Sequence, residues 1–175
     1  EKDRIALPAV KVSAQSIILQ MAAEKEFGPG HHYKLDPLTV SLPHPDGMTA
    51  LLSGASEITS HFTSPPFQYQ QLEKPGIRRV LSSYDVLGGA GQFTLVYTSA
   101  KFRSENPSVF AAVSRALSEA LDSINADKRR AAETFVKVAK GPAVDTVLKM
   151  LEDPEISFSS VPRNMMKQVE FMHRI

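Results

Sequence analysis

The 175-residue chain contains no cysteine. That excludes disulfide scaffolds, thiolate zinc sites, iron–sulfur clusters and thiol nucleophiles. It has no excess of either charge: 20 Lys and Arg stand against 19 Asp and Glu, a net charge of +1. Such a balance gives no electrostatic reason to expect nucleic acid or an anionic membrane as the main partner. No apolar run approaches the roughly 18 residues of a membrane span. Low-complexity tracts are missing, and no internal repeat is visible beyond a strand–helix unit. Apolar residues at 42% and charged residues at 22% are ordinary globular values, so disordered and fibrous classes are excluded as well. No signal peptide is visible, the chain starts at Glu1 rather than Met, and its last helical pattern has no stop signal. These ends read as those of a mature protein or of a piece of a longer one.

What is present is an alternation of short strands and helices. Arg4 to Leu7 is a short run ended by Pro8, and it predicts a buried strand. Ser13 is placed to cap a helix that runs to Phe27 and stops at Gly28-Pro29-Gly30. Leu38 to Leu42 predicts a second strand, and Asp46 a cap for a helix over residues 47–53. Glu57 to Phe62 predicts a third strand, with Ser64 capping a helix from Phe67 to about Leu72. Arg78 to Leu81 predicts a short fourth strand, and Gln92 to Thr98 a clear fifth. Beyond that the pattern is helical. After Asn106-Pro107, an apolar stripe runs through Val109, Phe110, Val113, Leu117, Leu121 and Ile124. Asp127 opens a helix with Ala131, Ala132, Phe135, Val136 and Ala139 inward; a third covers about 143–151, and a last one starts near Ser160. Strand–helix alternation with short connections argues for an α/β fold with a mainly parallel sheet flanked by helices.

Motifs of catalysis are absent. Leu52-Ser53-Gly54 lacks the earlier Gly of a nucleophile elbow, and Gly88-Gly89-Ala90-Gly91 lacks the Lys of a phosphate loop and precedes a strand-like run. The histidines lack the i, i+4 spacing of a helical zinc site, so no metal and no cofactor is expected. His31 and His32 read as exposed loop residues. The basic run Lys128-Arg129-Arg130 reads as a solvated helix face. Ser13, His44, His61 to Ser64 and the Asp85 region all fall at predicted strand ends or just beyond. In parallel sheets ligands bind at that edge, where free helix N–H groups favour an anion.

The order of these pieces resembles the periplasmic substrate-binding proteins of nitrate/sulfonate/taurine-type ABC importers, a group that includes pyrimidine-precursor binding proteins. The likeness rests on Ile5-Ala6-Leu7-Pro8 with Ser13-Ala14, on Val40-Ser41-Leu42-Pro43-His44-Pro45-Asp46 with Ala50 to Gly54, and on Ser60 to Phe67. Tyr84 to Gly89, Phe93 to Tyr97 and Lys101 to Pro107 continue it along nearly the whole chain.

The resemblance implies a type II periplasmic-binding fold, two lobes clamping a ligand. Residues 1–92 would be the second α/β lobe. Residues 93–175 would be a crossover strand and the helical returning part of the first lobe, whose N-terminal portion has no counterpart here. The implied function is extracytoplasmic capture of a small, anionic organic solute (sulfonate, nitrate, carboxylate or pyrimidine-like) for delivery to an ABC permease. The expected ligand contacts are Ser13, Gln15, His44, His61, Phe62, Thr63 and Asp85, with a hinge at Leu87, Gly88, Gly89 and Gly91. No catalytic residue and no nucleic-acid partner is expected, and the location implied is periplasmic or lipid-anchored outside the cytoplasm. Self-association through exposed apolar faces is a further expectation. Two other readings stand beside this one. One is the ligand-sensing effector domain of a transcription regulator with the same fold. The other is a non-catalytic relative of a pyrimidine synthase.

Overall fold

The structure, a computed structural model, describes residues 3–175. The chain divides into two compact units. One runs up to Gly91 and also takes in Asn164–Ile175; the other is Gln92–Arg163. The C-terminal helix therefore groups with the N-terminal unit rather than with the helices that precede it.

The first unit is built on a three-stranded parallel sheet: β1 (Arg4–Leu7), β2 (Thr39–Ser41) and β3 (Ile58–His61), in the order β2-β1-β3. The α/β expectation thus holds, in a chain that is mostly helix. β1 pairs Ile5 with Thr39 and Leu7 with Ser41 on one side, and Ile5 with Ser60 and Ala6 with His61 on the other. A strand in the middle of a parallel sheet is covered on both faces and needs small or branched apolar residues. Ala6 and Leu7 meet that need and are fully buried.

Helix α1 (Ala14–Phe27) packs Ile18, Leu19 and Ala23 inward. Ile18 and Leu19 each contribute about 1.5–3 kcal/mol when taken out of water. A 3-10 helix (His32–Leu38) packs along α1 and leads into β2. Helices α2 (His44–Ser53) and α3 (Phe67–Leu72) follow β2 and β3, and α4 (Ser83–Leu87) is closed at its start by a Ser82–Asp85 capping box. The second unit holds α5 (Ala100–Glu105), α6 (Pro107–Ala126), α7 (Lys128–Ala139) and α8 (Val144–Glu152). Its buried residues, Ala132, Val147, Met150 and Leu151, sit where α7 meets α8. Helix α9 (Met166–Arg174) completes the first unit and buries Phe171.

Several sequence expectations are corrected. Arg78 to Leu81 is not a strand; Arg78, Arg79 and Val80 are exposed and join no ladder. Two adjacent arginines after Pro75-Gly76 leave only Val80 and Leu81 to bury, too little for a strand to hold. Gln92 to Thr98 is not a strand either and joins no ladder. Asp46 does not cap α2. Pro43 occupies the cap position and the helix begins at His44, because Pro45 is compatible with a first helical turn and Asp46 lies within that turn. Ser64 does not cap α3 either; Pro66 holds that place, and the Ser64 hydroxyl turns to His44. The last helix starts at Met166, not near Ser160. His32 is half-buried rather than loop-exposed, its ring edge-on to Phe171 at 6.0 Å. No residue of α6 is fully buried, and Val109, Val113 and Leu117 of its apolar stripe are exposed.

Candidate binding edge of the sheet

The carboxyl ends of the three strands share one edge, and the loops that follow are tied together there. Val10 N–H, after β1, donates to the Ser41 hydroxyl of β2 at 3.0 Å. Leu42 N–H donates to the Leu7 carbonyl at 2.8 Å, and Phe62 N–H to the Ala6 carbonyl at 2.9 Å. The order β2-β1-β3 sends consecutive connections to opposite sides of β1. That is the arrangement that opens a crevice at the strand ends in parallel sheets.

Ser13 caps α1 as the sequence predicts: its Oγ accepts from Ser16 N–H at 3.1 Å. A hydroxyl that accepts in this way keeps its own proton to donate outward. The Ser16 hydroxyl in turn accepts from Lys11 N–H at 2.7 Å, which fixes the turn before the helix. Gln15, in the first turn of α1, is buried.

The second cluster is built around His44, the first residue of α2. Its Nδ1 lies 2.8 Å from Thr63 Oγ1, and its Nε2 lies 3.2 Å from Ser64 Oγ. Its ring stacks on Phe67 at 5.4 Å, with the planes 26° apart. Burial pushes the His44 pKa down, so the ring is held neutral. A neutral imidazole has one N–H and one lone pair. One of the two hydroxyls must therefore accept from the ring while the other donates to it. The accepting hydroxyl keeps a free proton at the mouth of the edge. No side chain caps α2; Pro45 has no N–H and Gly47 N–H donates to the Pro43 carbonyl at 2.9 Å, so His44 and Asp46 N–H are the remaining first-turn donors, with the Asp46 carboxylate in the same turn.

His61, at the end of β3, lies 5.9 Å from the His44 ring, centroid to centroid. Its Nδ1 meets the Gln71 side-chain amide at 2.7 Å, and its Nε2 is buried with no hydrogen-bond partner. The reason is Gly47: a Cβ there would stand 2.6 Å from that nitrogen, so the helix backbone of α2 covers it. Burial first, and the nearby His44 second, bring the His61 pKa down to about 4, against the opposing Gln71 hydrogen bond. His61 is thus a buttress under His44, with neither ring nitrogen offered outward. Phe62 and Thr63 follow it and are half-buried.

Asp85 and the glycine run are elsewhere. Asp85 Oδ2 accepts from Ser82 N–H at 2.9 Å within its capping box, and its carbonyl accepts from Lys25 Nζ at 3.3 Å. Lys25 lies twelve residues beyond Ser13, about 18 Å along the α1 axis at 1.5 Å per residue. The structure therefore gathers His44, His61 and Thr63, with Ser13 and Gln15 on the same strand edge, and leaves Asp85 at the far end of α1. Leu87 is buried, and Gly88 closes α4 at φ +76°. A recess of about 470 Å3 lies there, lined by Met21, Lys25, Val86, Lys167, Phe171 and Arg174 among others. Its cations are already engaged: Lys25 with the Asp85 carbonyl, Lys167 with the Leu87 carbonyl and Arg174 with Glu24. They serve to close the C-terminus of α4 and to join α1 to α9.

Sequence reasoning missed Gly47, Phe67 and Gln71. Phe67 and Gln71 stand four apart and so share one face of α3; one meets His44, the other His61. A glycine inside the helical pattern at 47 was the one visible sign of close packing. Among the described residues, no group of three or more His, Asp or Glu stands together as a metal site, and no helix is long and apolar enough to cross a membrane. Comparison with protein-family models, curated proteins and solved structures finds no match to this chain.

Proposed function

We propose that this chain is the solute-binding component of an ABC-type importer, acting outside the cytoplasm and handing a small anionic solute to a membrane permease. The observation that carries the reading is the His44–Thr63–Ser64 cluster at the carboxyl edge of the sheet, beside two helix N-termini. Its donors are neutral: the Ser13 hydroxyl, one hydroxyl of the Thr63/Ser64 pair and the N–H groups of His44 and Asp46 at the start of α2, where the Asp46 carboxylate also lies. Such a set suits an oxyanion that accepts several hydrogen bonds and is later released. Sulfonates, nitrate, carboxylates and pyrimidine acids all present such oxygens. The passage from one compact unit to the other directly after Gly91 favours a hinge in the Leu87–Gly91 run, and the ordered likeness to type II binding proteins favours the two-lobed fold.

A thermal-shift screen with small sulfonates, carboxylates, nitrate and pyrimidine acids tests this. A ligand at 100 times its Kd adds about 2.7 kcal/mol of stability, an easily read rise in midpoint. A flat response to every anion overturns the reading.

A further inference from the structure

We infer that Ser64 is a nucleophile with His44 as its general base, and that the pair takes the acyl group of a small, activated carboxylic ester. No nucleophile elbow marks Ser64 in the sequence; the fold assembles the pair from residues twenty apart. Ser64 Oγ stands 3.2 Å from His44 Nε2, and Thr63 Oγ1 stands 2.8 Å from His44 Nδ1. Serine activation needs these three parts: a nucleophile in reach of a base, and a third group that orients the base. With the ring proton on Nδ1, where Thr63 Oγ1 accepts it, the Nε2 lone pair faces the Ser64 hydroxyl. Phe67, stacked on the ring at 5.4 Å, holds it in that plane. Burial keeps the ring unprotonated near neutral pH, so the lone pair is present. Ser64 itself is only half-buried, which leaves its hydroxyl within reach of a small molecule.

The step balances without a cofactor. Ser64 Oγ bonds to the ester carbonyl carbon as its proton passes to His44 Nε2. The bond from that carbon to the leaving oxygen then breaks, and His44 returns the proton to the departing oxygen. Water, deprotonated by the same nitrogen, later frees Ser64 and releases the carboxylic acid. The limits of the pair follow from its surroundings. Nδ1 meets a hydroxyl rather than a carboxylate, and the neighbouring His61 ring is neutral. The imidazolium that forms on His44 is therefore poorly stabilised. Attack is confined to esters with a good leaving group, such as a phenol, and an acylated Ser64 accumulates. The acyl step stands on this geometry and needs neither a permease nor a second lobe.

The test is incubation of the full chain with p-nitrophenyl acetate, followed by peptide mapping of the adduct. The expected result is a burst of about one p-nitrophenolate per chain and an acetyl group on Ser64. Ser64→Ala is expected to abolish the burst, and His44→Gln to slow it about a hundredfold. Thr63→Val is expected to slow it roughly tenfold or more, and Thr63→Ser to restore it, because the hydroxyl is what holds the Nδ1 proton. The adduct map of the wild-type chain depends on no variant folding. A wild-type chain acetylated only on lysines or histidines, or not at all, overturns the proposal. So does a Ser64 adduct that forms equally fast in His44→Gln. An acetylated Ser64 beside a flat anion screen overturns the transport reading alone, and an anion-induced shift without the adduct overturns the acyl step alone.

Discussion

Gly47 of α2 lies so close to the His61 ring that a Cβ at position 47 would stand 2.6 Å from Nε2. Its φ is not left-handed, so the glycine is there for space and not for backbone freedom. Gly47→Ala gains about 1 kcal/mol of helix propensity. It also forces an overpacked contact that costs about 1–3 kcal/mol. The expected net effect is a loss on the order of 1 kcal/mol, read by chemical denaturation. In a His61→Ala background the clash is gone, so the same substitution should be neutral or stabilising. Equal losses in both backgrounds would show that the ring is not what Gly47 accommodates.

The same burial makes stability depend on pH. The His61 pKa is about 4 in the fold against 6.5 for an ordinary histidine. The unfolded chain therefore takes up this proton at a higher pH than the folded one, and stability falls as pH drops from 6.5 toward 4. His44 is shifted in the same direction by burial. Denaturation at pH 7.5, 5.5 and 4.5 should show a steeper loss for the wild-type chain than for His61→Gln. Parallel profiles would contradict the buried, neutral ring.

Ser13 separates capping from binding. Ser13→Ala removes an N-cap and should cost about 0.5–2 kcal/mol of stability. Ser13→Asp keeps an equally good cap. Under the proposed function it also places a negative charge where an anion would sit. Ser13→Asp should therefore melt near the wild-type midpoint yet lose the anion-induced shift. Retained anion binding in this variant would remove Ser13 from the site.

What the sequence made legible follows from how local each interaction is. The caps at Ser13 and Asp127 were readable because a hydroxyl or carboxylate meets an N–H three residues on. The strand ends at His44 and His61 were readable because the strand–helix alternation places them. Arg78–Leu81 and Phe93–Thr98 misled because a strand needs a partner, and propensity says nothing about whether one is in reach. Asp46 misled because Pro43 and Pro45 start the helix earlier than the best capping side chain. The close contacts of Gly47, Phe67 and Gln71 were out of reach, since each joins segments that only the fold brings together.

The Glu24–Arg174 pair supplies a second and separate acid transition. Arg174 Nη1 donates to Glu24 Oε1 at 2.8 Å, linking α1 to α9, and Gly30 N–H donates to the same oxygen at 3.1 Å. The Arg174 hydrogen bond first, and that of Gly30 second, hold the Glu24 carboxyl at about 2, against an ordinary 4.5. Here the folded pKa is the lower one, so the contribution is full above 4.5 and lost as pH falls toward 2. The His61 window lies above this one, and the two should appear as successive steps in an acid unfolding profile. Arg174→Ala should remove most of the lower step and leave the upper one. By NMR titration, Glu24 in that variant should move up from about 2 yet stay below 4.5, because Gly30 still donates to it. A Glu24 that titrates unchanged in Arg174→Ala would mean that the ion pair does not join α1 and α9 in solution.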